Sequence, residues 1–232
     1  MTKHLLRDIE QLKKAILGVG ATVENAIHMA TTALLDRRPA LAEEVIEGDA
    51  EIDTREVAIE EDCLKILALH QPVAFDLRFL ITILKVNNDL ERMGDLAANI
   101  AERALDLAQE PALPRAAVLD QMIEGVRSMV KMSLNALVHQ DPEAARTVLA
   151  ADDEVDHGNR QMFGQMRALM VEDPGTIDRA TYMLSVSRNL ERIADQATNI
   201  AEDVLFLVEG EIIRHRATSG RVLRGPGTKH GD

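Results

Sequence analysis

Four pairs of acidic residues are spaced so that both members project from one face of a helix. They are Asp49/Asp53, Glu91/Asp95, Asp152/Asp156 and Glu191/Asp195. Residues four apart on a helix stand one turn above the other. Like charges at that spacing oppose each other by about 0.2–0.5 kcal/mol. A solvated acidic face tolerates such a cost. The chemistry that would use it is a cation clamped by both carboxylates. Oxygen-only ligands suit hard ions, which makes Mg, Ca, Mn or iron the candidates, with Zn admitted beside them.

Two of the pairs sit inside a repeat. Leu90 to Glu102 reads LERMGDLAANIAE and Leu190 to Glu202 reads LERIADQATNIAE, with nine of thirteen positions identical at an offset of 100 residues. Self-similarity on that scale points to two copies of one folding unit. The other two pairs lie in DAEID and DDEVD, about forty residues before each copy. Antiparallel hairpin geometry sets the heights of the pairs. The first hairpin turns near residue 71, and Glu51 and Glu91 are each twenty residues from it. Asp49/Asp53 are thus level with Glu91/Asp95. In the second half the turn centres near 174, and His157 and Glu191 are each seventeen residues away. Asp152/Asp156 are thus level with Glu191/Asp195. Four carboxylates so gathered repel unless a cation neutralises them.

The elements that must hold these groups are long helices. Leu5, Ile9, Leu12, Ile16, Val19, Val23 and Ile27 recur in threes and fours, the pattern of an amphipathic helix over residues 4 to 36. Val45, Ile52, Ile59 and Ile66 recur every seven residues in a second helix to about Leu69. Pro72 fits the opening turn of a third, which runs to about Ala108. Its apolar seam is Ile83, Val86, Leu90, Met93, Ala97 and Ile100. Asn88, Glu91, Asp95, Asn99 and Glu102 form a polar stripe opposite, which places the acidic site on the bundle surface. Residues 110–115 read as a linker with two prolines. Helices over about 116–139, 142–171 and 177–209 follow. The expected fold is all-α, two tandem antiparallel three-helix bundles with an internal pseudo-twofold repeat, over residues 4–109 and 116–210. Residues 211–232 carry five Lys or Arg against two acids and no apolar period, and read as a disordered tail.

Composition narrows the function. The net charge is −13, aromatics are 2%, and there is no Trp. Nucleic-acid binding needs a basic footprint and stacking faces, so no nucleic-acid partner is expected. No run of apolar residues is long enough to span a bilayer, so no membrane insertion is expected. MTKHLLRDIE lacks a signal-peptide core. A lone Cys63 in an apolar stretch reads as a buried small hydrophobe, which suits the cytoplasm. His28, His70 and His157 read as ordinary surface or interface residues rather than ligands. Glu47, Glu56, Glu102 and Glu202 are second-rank ligands. Arg92 and Arg192, directly after the motif glutamates, either pair with neighbouring acids or meet a partner.

At these residues the chain resembles the PhoU family of phosphate-regulon regulators. The resemblance rests on the doubled ERMGD and ERIAD cores with NIAE continuations, on QPVAFDLR before the first copy, and on DAEID and DDEVD. It covers about residues 4 to 210. TIDRATYML in the second half has no counterpart of the QP-x-x-x-DLR motif. The resemblance implies metal clusters on the acid-x-x-x-Asp pairs and a cytoplasmic protein, often a homodimer. It implies repression of phosphate uptake and signalling when phosphate is plentiful. The partners it implies are the ATPase subunit of the phosphate ABC transporter and a membrane sensor histidine kinase. No nucleophile–base set, phosphate-cradling glycine loop or nucleotide motif is visible, which favours an adaptor over an enzyme. The alternatives are a carboxylate-bridged multi-metal hydrolase or oxidase, and a scaffold whose acid pairs bind nothing.

Overall fold

The structure, a computed structural model, describes residues 3–210. Met1, Thr2 and the tail 211–232, including its expected disorder, lie outside the described residues. Six α-helices form: α1 (Lys3–Asp36), α2 (Pro39–His70), α3 (Ala74–Gln109), α4 (Ala117–His139), α5 (Pro142–Glu172) and α6 (Ile177–Glu209). A 3-10 turn, Pro174–Thr176, precedes α6. Chains of this pattern bury one stripe per helix, and the seams read from the sequence are the buried stripes. Leu12, Ile16, Val23 and Ile27 on α1, Ile52, Ile59 and Cys63 on α2, and Val86, Leu90, Met93 and Ile100 on α3 are each at most 2% exposed. Full burial of such side chains stabilises by roughly 1.5–3 kcal/mol each, before chain entropy is set against it.

The helix ends have local causes. Asp141 caps α5, its side chain accepting from the backbone N–H groups of Glu143 at 2.9 Å and Ala144 at 3.1 Å. Pro142 occupies the first turn, where its missing N–H costs nothing. The α2–α3 corner is different. Gln71 and Ala74 both take left-handed backbone, with φ of 45° and 52°. Side chains with a Cβ resist that region. As a result Pro72 does not open α3, as the sequence suggests. It lies buried in the corner, and the helix begins at Ala74. In the second half Asp173 makes the corner instead, accepting from Gly175 N–H at 2.9 Å.

Within each half three helices pack antiparallel, as expected. The tandem arrangement has a further feature that periodicity does not disclose. The most extensive helix pairing in the molecule joins the halves, α3 against α6. They run antiparallel. Lys85 near the start of α3 donates to Asp203 near the end of α6 at 2.9 Å. At the opposite end Arg103 lies over the Tyr182 ring, 5.4 Å from its centroid. The apolar backs of the two thirteen-residue copies therefore meet at the centre. Met93, Leu90, Ile193 and Leu190 are fully buried there, in one core that runs through both halves.

The acid-bearing helices are pinned by hydrogen bonds at repeat-related positions. Asn87 Nδ2 donates to Glu56 O at 2.9 Å, which ties α3 to α2. Ser187 Oγ donates to Asn159 Oδ1 at 2.8 Å, which ties α6 to α5. Gly94 sets the α2–α3 spacing at the motif itself. A Cβ there would lie 2.9 Å from Ile52 Cδ1 and 3.4 Å from Asp49 Oδ1. Gly48, one turn away on α2, faces open space. Gly94→Val is expected to destabilise by about 1–3 kcal/mol through overpacking. Gly48→Ala is expected to stabilise by about 0.4–1 kcal/mol by restricting the unfolded chain. Urea-denaturation midpoints of the two variants should move in opposite directions.

Candidate metal centre

The α2–α3 pair brings the first acidic group together. One carboxylate oxygen each from Asp53, Glu91 and Asp95 lies within 4.8 Å of the other two. Ligands of one hard ion, each at about 2.0–2.6 Å from it, fall within about 4–5 Å of one another. The spacing and the all-oxygen donor set thus fit such an ion. Asp49 stands at the edge of the same group. Burial raises its pKa, and the charges of Asp95 and Asp53 raise it further. Glu91 is raised by burial and then by Asp95, Asp53 and Glu56, while Arg92 opposes the shift. Burial and Asp53 raise Asp95. Each of these groups is harder to ionise than in water, first because burial disfavours its charged form and then because its neighbours carry the same sign.

The α5–α6 pair gathers the second group. Asp152 is pushed up to about 6, first by burial and then by Asp195, Asp156, Asp153 and Glu191. Burial also raises Asp195 and Glu191, with Asp156 adding to both. Glu191 Oε2 is buried without a hydrogen-bond partner. Yet the first group alone, among the described residues, has three carboxylates at mutual ligand distance. Two cations explain the difference. Arg188 lies 3.4 Å from Glu191 Oε1, and Arg160 lies 3.5 Å from Asp156. They draw off two of the second group's carboxylates, so the two groups are related in layout and unequal in preparation.

All eight sequence-predicted residues therefore fall in two groups: Asp49, Asp53, Glu91 and Asp95, and Asp152, Asp156, Glu191 and Asp195. The four helices place them on the surface of the bundles. Of the second-rank candidates, Glu56 joins the first group. Glu102 pairs with Arg103 at 3.1 Å, and Glu47 is exposed. His70 is a structural residue, 3.0 Å from Asp8 on α1, and His157 meets Gln161 at 2.9 Å. Cys63 is fully buried, and burial pushes its thiol up to about 12. The sequence reading missed Arg188 and Arg160. Their helical spacings of three and four from Glu191 and Asp156 were the signal that would have found them.

A six-helix, internally doubled chain with a carboxylate group on each half defines a class of tandem-bundle protein rather than a buried-site bundle. The PhoU domain family matches residues 16–104 and 119–204. The chain belongs to the PhoU family. It is 43% identical over 212 residues to the phosphate-specific transport system accessory protein PhoU homolog of Aquifex aeolicus, covering 91% of this chain and 96% of that one. The Pseudomonas aeruginosa homolog is 39% identical, over 93% of this chain and 91% of its own length. The crystal structure of PhoU from Pseudomonas aeruginosa superposes with a TM-score of 0.86 at 38% identity, covering 88% of this chain and 99% of that one. The crystal structure of the phosphate transport system regulatory protein PhoU from Streptococcus pneumoniae gives 0.85 at 31%, covering 90% and 99%.

The raised carboxyl groups have a pH consequence. A carboxyl whose folded pKa exceeds its unfolded value binds protons more tightly when folded, so stability is present at low pH and is lost as pH rises. For Asp152 the window runs from its ordinary value of 3.8 to about 6. The metal-free protein is expected to lose stability across that interval. Asp152→Asn should recover about 1 kcal/mol at pH 7, after allowance for solvent screening, and raise Tm by about 2–4 °C. Calorimetry of chelator-treated protein at pH 4 to 7.5 checks both.

Proposed function

We propose that this chain is a metal-binding adaptor that represses phosphate uptake and phosphate-starvation signalling from the cytoplasm. Its role in phosphate transport rests on family membership, since its relatives are accessory proteins of phosphate-specific transport. The metal-binding part rests on one observation. Asp53, Glu91 and Asp95 crowd to mutual ligand distance, and among the described residues none of the three is ion-paired, Arg92 opposing the charge of Glu91 only from a distance. An ion bound there supplies the missing positive charge. Asp53, Glu91 and Asp95 would hold it in the first half, with Asp49 beside them. Asp152, Asp156, Glu191 and Asp195 form the corresponding set in the second. Iron, Mg, Mn, Ca and Zn are the candidate ions.

The adaptor's partners are the ATPase subunit of the phosphate ABC transporter and the sensor histidine kinase of the phosphate two-component system, with a homodimer as the working form. No described helix is long and apolar enough to cross a membrane. Contact with the transport machinery then runs through protein surfaces. The alternative of a carboxylate-bridged multi-metal hydrolase or oxidase has less support, because the relatives are accessory proteins. The chain is read as a regulator, not a catalyst.

Purified transporter ATPase and the cytoplasmic part of the sensor kinase, immobilised separately, test the reading. Capture of the metal-loaded chain is expected, with at least tenfold loss after chelation. The variant Asp53→Asn/Glu91→Gln/Asp95→Asn should lose the ions of the first half by elemental mass spectrometry while keeping its helix content. Failure of capture with and without metal, together with turnover of phosphate esters, would favour the enzyme instead.

A further inference from the structure

The two halves can be laid on one another residue by residue. An offset of 100 carries Glu91/Asp95 on α3 onto Glu191/Asp195 on α6, and an offset of 103 carries Asp49/Asp53 on α2 onto Asp152/Asp156 on α5. Arg92 and Arg192, directly after the motif glutamates, coincide and add the same charge to both halves. Arg188 and Arg160 do not recur. Their counterparts are Asn88, three residues before Glu91, and Val57, four residues after Asp53. Both counterparts are exposed, so either position admits a long side chain without disturbing the core. Arg55, the arginine of α2 nearest in sequence to Asp53, is turned to Glu51 and to Thr22 on α1 instead.

Each arginine of the second half holds one carboxylate. Arg188 Nη1 lies 3.4 Å from Glu191 Oε1, and Arg160 Nη1 lies 3.5 Å from Asp156 Oδ2. Glu191 is thereby split, because its other oxygen, Oε2, is buried with no hydrogen-bond partner. That orphaned oxygen, in a set made only of carboxylates, still fits a hard ion, so the second donor set is partly engaged rather than closed. Both guanidinium groups are 66% exposed. Ion pairs so exposed are weak, and their arginines turn readily into water.

We propose that Arg188 and Arg160 are resident counter-ions that set the order in which the halves take up metal. The first half fills at lower ion concentration, and the second fills only as the two guanidinium groups are displaced. This rests on the metal-binding reading given above and deepens it. Binding in the first half supplies a positive charge that its carboxylates lack. Binding in the second replaces positive charge already there. An exposed ion pair is worth no more than about fivefold in an equilibrium constant, so two of them separate the halves by about tenfold. One repeated plan then has two thresholds for the same ion, and the residue types at 57, 88, 160 and 188 decide which half fills first.

Titration of the chelator-treated, full-length chain with divalent manganese, one half at a time, tests this. Asp53→Asn/Glu91→Gln/Asp95→Asn leaves only the second half competent, and Asp156→Asn/Glu191→Gln/Asp195→Asn leaves only the first. Electron paramagnetic resonance of the free ion gives each Kd, and circular dichroism verifies the helix content of every variant. The first half is expected to bind about tenfold more tightly than the second. In the chain with only its second half competent, Arg188→Asn/Arg160→Val should tighten binding about tenfold. In the chain with only its first half competent, Asn88→Arg/Val57→Arg should weaken it by a similar factor. A purely structural role of the arginines would not transfer in this way. Arg167→Asn, exposed on α5 three turns beyond Asp156, should leave the second half unchanged. Equal affinity of the two halves, no response to loss of Arg188 and Arg160, or an equal response to Arg167→Asn overturns the proposal and leaves the metal reading standing. Failure of both halves to bind manganese overturns the metal reading and this inference with it.

Discussion

Like-charged carboxylates held close together on a helix pair are the constraint on which the rest of this molecule turns. Asp53, Glu91 and Asp95 oppose one another at ligand distance, and burial, with these like charges added to it, raises the pKa of Glu91 and of Asp95. Side chains on free helices would swing apart into water. Here the backbones beneath them are locked. Asn87 bonds Glu56 O, Ile52 fills the space over Gly94, and Leu90 and Met93 are sealed in the core within two residues of the acids. The repulsion is held against a packed interior, so the ion proposed above would meet carboxylates already in place and pay little to order them.

The doubled architecture extends that logic. If the two halves were separate bundles on a linker, each acidic group would have its own small core behind it. Instead α3 and α6 pack back to back, and Leu90, Met93, Leu190 and Ile193 form a common interior. Each acidic group is thereby backed by the core of the whole chain. The Lys85–Asp203 pair and the Arg103–Tyr182 contact hold the antiparallel register at the two ends of that seam. Asp203 is 2% exposed, and a buried acid ion-paired as it is to Lys85 costs heavily when that cation is lost. It therefore specifies which faces of the two halves meet.

The halves have also diverged, and the divergence is physical. Among the described residues, no basic side chain stands at hydrogen-bond distance from the first acidic group. The second is partly answered from within by Arg188 and Arg160. The first corner is built from left-handed Gln71 and Ala74, the second from the side chain of Asp173. The α2–α3 corner, with left-handed Gln71 and Ala74 and the exposed Val73, Phe75 and Leu77, has no left-handed residue in its α5–α6 counterpart among the described residues. The two halves thus present different surfaces built on one repeated plan.

Local sequence determined most of this protein. Apolar spacing named the six helices and their buried faces, because a helix of period 3.6 exposes its packing requirement in one dimension. Acid spacing named all eight residues of the two groups, because residues four apart share a face in any helix. Hairpin counting levelled the pairs, since antiparallel neighbours of equal rise meet at equal distances from their turn. Tertiary structure alone decided the α3–α6 seam, the part played by Gly94, the start of α3 after Pro72, and the neutralising reach of Arg188 and Arg160. Each of these depends on which atoms of distant segments arrive within a few ångströms. A pattern with a period can tell which face of a helix turns inward, but not which helix waits there.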